Sequence, residues 1–184
     1  MNRGFRVPPL ARRDIRRQAS EVRRQIQRVF GDEPYFPIVQ FMDIVLPQAV
    51  PDFTLQICDR DVLGDLHGVT FPERNLIQIR SDVFRRAQAG YGRDRMTLAH
   101  ELGHFLLHSA PGLARQDTEL TEHPLFEDSE WQADVFAGEL LVAKRHVTPA
   151  DTEETVAARF GVTQVAARVQ LKAFSRSKKT GRNI

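Results

Sequence analysis

Ile15, Ala19, Val22, Ile26 and Val29 recur at spacings of four and three residues, the pattern of a helix with one apolar stripe. Arginines fill the opposite side, Gly31 closes the run, and Pro34 and Pro37 lie in the loop beyond. Ile38 to Leu46 reads as a short helix ended by Pro47. Between Phe53 and Arg80 the texture changes. Phe53-Thr-Leu-Gln-Ile57 alternates, and Leu66 to Phe71 and Leu76 to Ile79 are short apolar runs around the turn Pro72-Glu73-Arg74-Asn75. This predicts a small antiparallel sheet.

Helical periodicity returns from Asp94 to Ser109, with Pro111 and Gly112 as stop signals. Trp131, Ala133, Phe136, Ala137, Leu140 and Leu141 mark a further helix, for which Ser129 and Gln132 predict a capping box. Thr155 to Phe160, Gly161-Val162-Thr163 and Gln164 to Phe174 read as helix, tight turn, helix. Ser175 to Ile184 reads as a frayed polar tail. The whole predicts an α+β chain in three parts: a basic N-terminal helical arm over 1–33, a core over 34–148, and a C-terminal helical hairpin with its tail over 149–184.

Composition narrows the class. With 184 residues, 41% hydrophobic and 27% charged, the chain can bury one core in the manner of an ordinary globular protein. No apolar run approaches the roughly 20 residues of a bilayer crossing, so no membrane partner is expected. Met1 to Leu10 lacks the apolar stretch of a secretory leader. Its Arg-rich start also fits a transit peptide, though such peptides are usually Ser-rich and only Ser20 lies nearby. Cys58 is the single cysteine. An intrachain disulfide and a Cys-based zinc site are therefore excluded, and a reducing cytoplasm is the expected compartment.

The net charge of +2 hides an uneven distribution. Arg3, Arg6, Arg12, Arg13, Arg16, Arg17, Arg23, Arg24 and Arg28 face only Asp14 and Glu21 in the first thirty residues. Asp117, Glu119, Glu122, Glu127, Asp128 and Glu130 form an acidic stretch. A charge run is commonly a solvated helix face, but a basic arm also fits nucleic acid or an acidic partner.

His100-Glu101-Leu102-Gly103-His104 carries the sharpest chemistry. On a helix, residues four apart share a face, so both imidazoles can bind one Zn²⁺. Glu101 is turned by about 100° from His100 and is free to act as the base for a water. A catalytic zinc needs a third protein ligand. Glu130 and Asp134 lie four apart on the next helix, and they supply a ligand in Glu130 and an imidazole-orienting carboxylate in Asp134. Glu127 and Asp128 are competing ligands, and His108, one turn beyond His104, reads as a packing group or as a group that supports a ligand imidazole.

Arg93-Asp-Arg-Met-Thr-Leu-Ala-His-Glu-Leu-Gly-His-Phe-Leu-Leu-His108, followed by Glu130-x-x-Ala133-x-x-Phe136-Ala137-x-Glu139-Leu140-Leu141, resembles the ImmA/IrrE family of zinc metallopeptidases. Val156-Ala-Ala-Arg-Phe-Gly-Val-Thr163 resembles the family's closing helix-turn-helix-like segment. Met96 departs from the pattern, where an aromatic residue is expected. The resemblance implies a gluzincin-like, zincin-like metallopeptidase fold with bound Zn²⁺. It further implies a partner that is cleaved, typically a helix-turn-helix phage repressor or an antitoxin.

An extended substrate could pair with an exposed edge at Leu66–Phe71 or Leu76–Arg80. Tyr91, His67 and His123 are candidates to steady the oxyanion. The competing class is a DNA- or repressor-binding regulator in which zinc is structural. DNA contact would then run through the basic N-terminal arm or the C-terminal hairpin with Arg159, Arg168 and Lys172. A third reading is a partner-binding module in which zinc is structural; Glu101 argues against it, since a structural site has no use for a base there.

Overall fold

The computed structural model describes residues 4–109 and 123–180, so the stop at Pro111 and Gly112 and much of the acidic stretch lie outside the described residues. Helix α1 (Arg12–Phe30) buries the predicted stripe of Ile15, Ala19, Val22 and Ile26, whereas Val29 is exposed. Pro47 does not end the next helix. α2 (Ile38–Gln40), a π-helical stretch Phe41–Val45 and α3 (Leu46–Ala49) form one continuous run. Proline has no N–H to give the preceding turn, and the run widens to accommodate it: the Leu46 N–H reaches back to the Phe41 carbonyl.

Strands β1 (Thr54–Cys58), β2 (Gly68–Phe71) and β3 (Leu76–Arg80) form a sheet in the order β1-β3-β2. β2 and β3 are the predicted antiparallel hairpin, with Phe71 opposite Leu76. β1 instead runs parallel to β3, Thr54 beside Leu76 and Cys58 beside Arg80, so the sheet is mixed rather than antiparallel. The connection explains this. After β1 the short helix α4 (Arg60–Leu63) turns the chain back, β2 returns without pairing to β1, and β3 fills the place between them. Arg80 fastens that loop, its Nη1 donating to the carbonyl oxygens of Gly64 (3.2 Å) and Leu66 (3.4 Å). As the central strand, Leu76–Arg80 offers no free edge.

Ile77 and Ile79 of β3 are fully buried, and α5 (Ser81–Gln88) and α6 (Gly92–Leu107) pack against that strand. α6 begins two residues before the predicted start and packs along α7 (Ser129–Leu141), which also meets α1. Enclosed in this way, α7 is buried nearly all round, only Glu130, Trp131 and Asp134 being less than fully buried. Arg23 of α1 is itself buried; its Nη1 donates to the Leu140 carbonyl at 2.8 Å, joining α1 to the end of α7.

The C-terminal hairpin consists of α8 (Glu153–Phe160) and α9 (Gln164–Thr180) around the predicted Gly161 turn. α9 continues past Phe174, so the first part of the expected frayed tail is helical. Arg95 of α6 holds this hairpin to the rest. Its Nε donates to the Gly161 carbonyl and its Nη2 to the Phe36 carbonyl, both at 2.8 Å, and its guanidinium stacks 3.8 Å over the Tyr35 ring. Among the described residues, no helix is long and apolar enough to cross a membrane.

Candidate metal centre

His100 and His104 project from one face of α6, one turn apart, and their Nε2 atoms lie 3.0 Å from each other. Glu130, in the first turn of α7, aims both oxygens at them. Its Oε2 is 3.2 Å from His100 Nε2, and its Oε1 is 3.2 Å from His104 Nε2. Ligand atoms at about 2.0–2.1 Å from a tetrahedral zinc stand about 3.3–3.4 Å from one another. The separations of 3.0 and 3.2 Å are of that order, the two to Glu130 running to different carboxylate oxygens, and among the described residues these three side chains form the cluster that could hold a metal ion.

The electrostatics make the same demand. Burial opposes charge on His100, yet its hydrogen bonds to Asp134 and Glu130 outweigh burial and raise the imidazole to about 10. His100 first, and His104 with it, hold the Glu130 carboxyl well below the usual carboxylate range. Both shifts express a need for positive charge where the three side chains converge. A divalent cation meets that need.

Helix packing places the groups. A Cβ built on Gly103 would stand 3.1 Å from the Ala133 Cα and carbonyl oxygen and 3.2 Å from Phe136 Cδ1. Small residues at 103 and 133 therefore let α6 and α7 approach closely enough for Glu130 to reach both imidazoles. Asp134, one turn after Glu130, lies 2.9 Å from His100 Nδ1 through its Oδ1. His108 faces the other nitrogen of His104, Nδ1 to Nδ1 at 3.2 Å, and its Nε2 is 3.2 Å from Gln132 Oε1. Burial, and after it the charge of His104, pushes the His108 imidazole down to about 4.

Glu101 is buried beside the triangle and does not join it. Thr70 of β2 donates its hydroxyl to Glu101 Oε2 at 2.7 Å and lies 3.0 Å from the Glu101 carbonyl oxygen. Gly68 comes equally close: a Cβ there would stand 2.8 Å from Glu101 Cγ and 2.9 Å from Ile79 Cδ1. Sequence reasoning singled out neither residue. The available signal was strand alternation, which puts positions 68 and 70 on one face.

The start of α7 differs from expectation. Asp128, not Ser129, is the N-cap, its Oδ1 accepting the Trp131 N–H at 2.8 Å. Its Oδ2 takes the Gly4 N–H at 3.0 Å and lies 3.1 Å from His123 Nε2. Asp128 is thus spent as a cap, Glu127 pairs with Arg6 at 2.6 Å, and neither joins the cluster of His100, His104 and Glu130. Ser129 falls inside the helix, and its buried hydroxyl has no hydrogen-bond partner among the described residues. Gln132 does not close a capping box but donates from Nε2 to the carbonyls of Pro8 (2.9 Å) and Phe126 (2.8 Å). Of the oxyanion candidates, Tyr91 is the N-cap of α6, about 13 Å along the axis from His100. His123 sits on Asp128, and His67 directly precedes Gly68.

A family model described as the IrrE N-terminal-like domain, a peptidase family, matches residues 64–172. The match spans well over half of the chain and contains β2, β3, the His100–His104 helix and Glu130, while α1 and β1 lie outside it. No curated protein matches the chain.

Proposed function

Because the chain belongs to the IrrE N-terminal-like domain family of metallopeptidases, we propose that it is a zinc-dependent endopeptidase acting on a specific regulatory protein in the cytoplasm. A helix-turn-helix repressor or an antitoxin is the substrate class that fits best. The observation that carries this reading is the convergence of His100, His104 and Glu130, the two imidazole Nε2 atoms 3.0 Å apart and each 3.2 Å from a different oxygen of Glu130, beside a buried Glu101.

His100, His104 and Glu130 would hold the ion, and Asp134 would orient His100. When bound, zinc supplies a Lewis acid that polarises the scissile carbonyl and acidifies water. Glu101 takes the proton of the attacking water as the new C–O bond forms. It then passes that proton to the amine nitrogen as the C–N bond breaks, leaving a carboxylate and a free amine. Thr70 aims the Glu101 carboxylate from β2. That strand is a sheet edge, and an extended segment of substrate can pair with it. His67 is the candidate donor to the oxyanion.

The test is incubation of the zinc-loaded protein with a panel of helix-turn-helix regulators, read by mass spectrometry. Cleavage at one bond that is lost in Glu101→Gln is the expected result. Cleavage that persists in Glu101→Gln would contradict the assignment of the base.

A second reading has its own observation. Arg12, Arg13, Arg16, Lys172 and Arg176 line a groove of about 480 Å³ between α1 and α9, which fits a regulator that contacts DNA phosphates with zinc in a structural role. It requires DNA affinity that falls steeply with salt and survives removal of zinc.

A further inference from the structure

Gln132 Nε2 lies 2.9 Å from the Pro8 carbonyl and 2.8 Å from the Phe126 carbonyl. Carbonyl oxygens only accept, so this end of the side chain must be the amide nitrogen, and the amide orientation is fixed. The other end, Oε1, then faces His108 Nε2 at 3.2 Å and can only accept. His108 therefore carries its proton on Nε2. A neutral imidazole has a single N–H, which leaves His108 Nδ1 as an acceptor. The group facing it at 3.2 Å is His104 Nδ1, which must donate. His104 is thereby fixed as the Nδ1–H tautomer, with the lone pair of its Nε2 directed at His100 and Glu130.

We propose that His108 and Gln132 are positioning residues that set the tautomer of His104, and that the N-terminal segment around Pro8 closes this relay and so controls the affinity of the metal site. The inference rests on the zinc reading above and deepens it. Asp134 plays the equivalent part for His100, but by a different design. Its carboxylate is a charged acceptor whose side chain is 66% exposed. The relay behind His104 is neutral and enclosed, with His108 at 6% and Gln132 at 0% exposure.

The relay ends on a segment remote in sequence. Val7 N–H donates to the Glu127 carbonyl at 2.8 Å, Leu10 N–H to the Phe126 carbonyl at 2.9 Å, and Ser129 N–H to the Phe5 carbonyl at 3.1 Å. The Phe5 ring meets the His108 ring edge-on at 5.8 Å between centroids. Residues preceding α1, outside the matched family region, thus brace both His108 and the turn that presents Glu130. Without the Pro8 carbonyl the Gln132 amide loses one of the two acceptors that fix its orientation, and the preference for Nδ1–H on His104 weakens.

The experiment measures zinc affinity by chelator competition for wild type, His108→Phe and Gln132→Met, the last close to isosteric. It adds nitrogen-15 NMR of the histidine rings in the zinc-loaded wild type. The relay requires zinc binding about 10–100-fold weaker in either variant, and a wild-type His108 protonated on Nε2 with His104 protonated on Nδ1. Variant affinities within twofold of wild type would overturn the inference and leave the peptidase reading standing. So would a His108 protonated on Nδ1, a result that does not depend on either variant folding. A wild type that takes up no zinc would overturn the peptidase reading itself.

Discussion

Gly103 of α6 lies directly against Ala133 of α7, so close that a Cβ at residue 103 would stand 3.1 Å from the Ala133 Cα. This contact sets the helix separation at which one carboxylate on α7 meets two imidazoles on α6. Gly103→Val is expected to force the helices apart, costing about 1–3 kcal/mol as overpacking does. It should also lower zinc content well below that of wild type while the fold survives. Urea denaturation and elemental analysis read the two effects, and full zinc retention would show that the contact does not set the site.

Thr70 offers a cleaner separation of metal binding from chemistry. Its hydroxyl donates to Glu101 Oε2 at 2.7 Å, and Glu101 is not one of the three clustered residues. Thr70→Val should lower turnover about 10- to 100-fold, the usual effect of losing a group that orients a functional side chain, with zinc content unchanged. Thr70→Ser, which keeps the hydroxyl, should recover most of the rate. Equal rates for the Val and Ser variants would remove Thr70 from the reaction.

Glu139 binds α1 to α7. Its carboxylate is fully buried and accepts from Arg12 Nη1 at 3.0 Å, from Arg16 Nε at 2.7 Å and from Arg16 Nη2 at 3.0 Å. Glu139→Ala leaves two partly buried guanidinium groups without their carboxylate, a change that costs about 3–5 kcal/mol. The urea midpoint should fall at unchanged slope. A loss below about 1 kcal/mol, the scale of an exposed pair, would mean that the arginines relax into solvent.

The convergence of His100, His104 and Glu130 was legible in the sequence because helical periodicity is local. Spacing four apart fixes a shared face, and it aligned His100 with His104 and Glu130 with Asp134 without any knowledge of the fold. The apolar stripe of α1 was legible for the same reason. Thr70 and Gly68 were not, since their approach to Glu101 depends on which sheet face meets α6, and no local pattern records that. The mixed sheet was missed because alternation reports that a residue pairs, not with which neighbour or in which direction. Gln132 was assigned to a cap from spacing alone; it lies in the first turn of α7 as expected, but its partners, Pro8 and His108, are distant in sequence.

Acid should loosen the C-terminal hairpin at Asp151. The Thr148 backbone N–H donates to Asp151 Oδ2 at 2.7 Å, and Arg159 Nη2 adds a second bond at 2.7 Å. These interactions, the backbone one foremost, hold the carboxyl below its ordinary value. A depressed carboxylate pKa stabilises the fold fully above the unfolded value of about 3.9 and loses that contribution as the pH falls through the folded one. Asp151→Asn should therefore lower stability at neutral pH and flatten the decline below about pH 4. Parallel wild-type and variant curves across that range would contradict it.

The most direct test of the metal centre is elemental analysis of the purified protein, prepared without chelator, alongside His104→Ala and Glu130→Ala. Wild type should carry about one zinc per chain, and both variants should lose it while keeping their helical content. A wild type that is metal-free and takes up no added zinc would contradict the peptidase assignment and leave the basic groove between α1 and α9 as the feature to pursue.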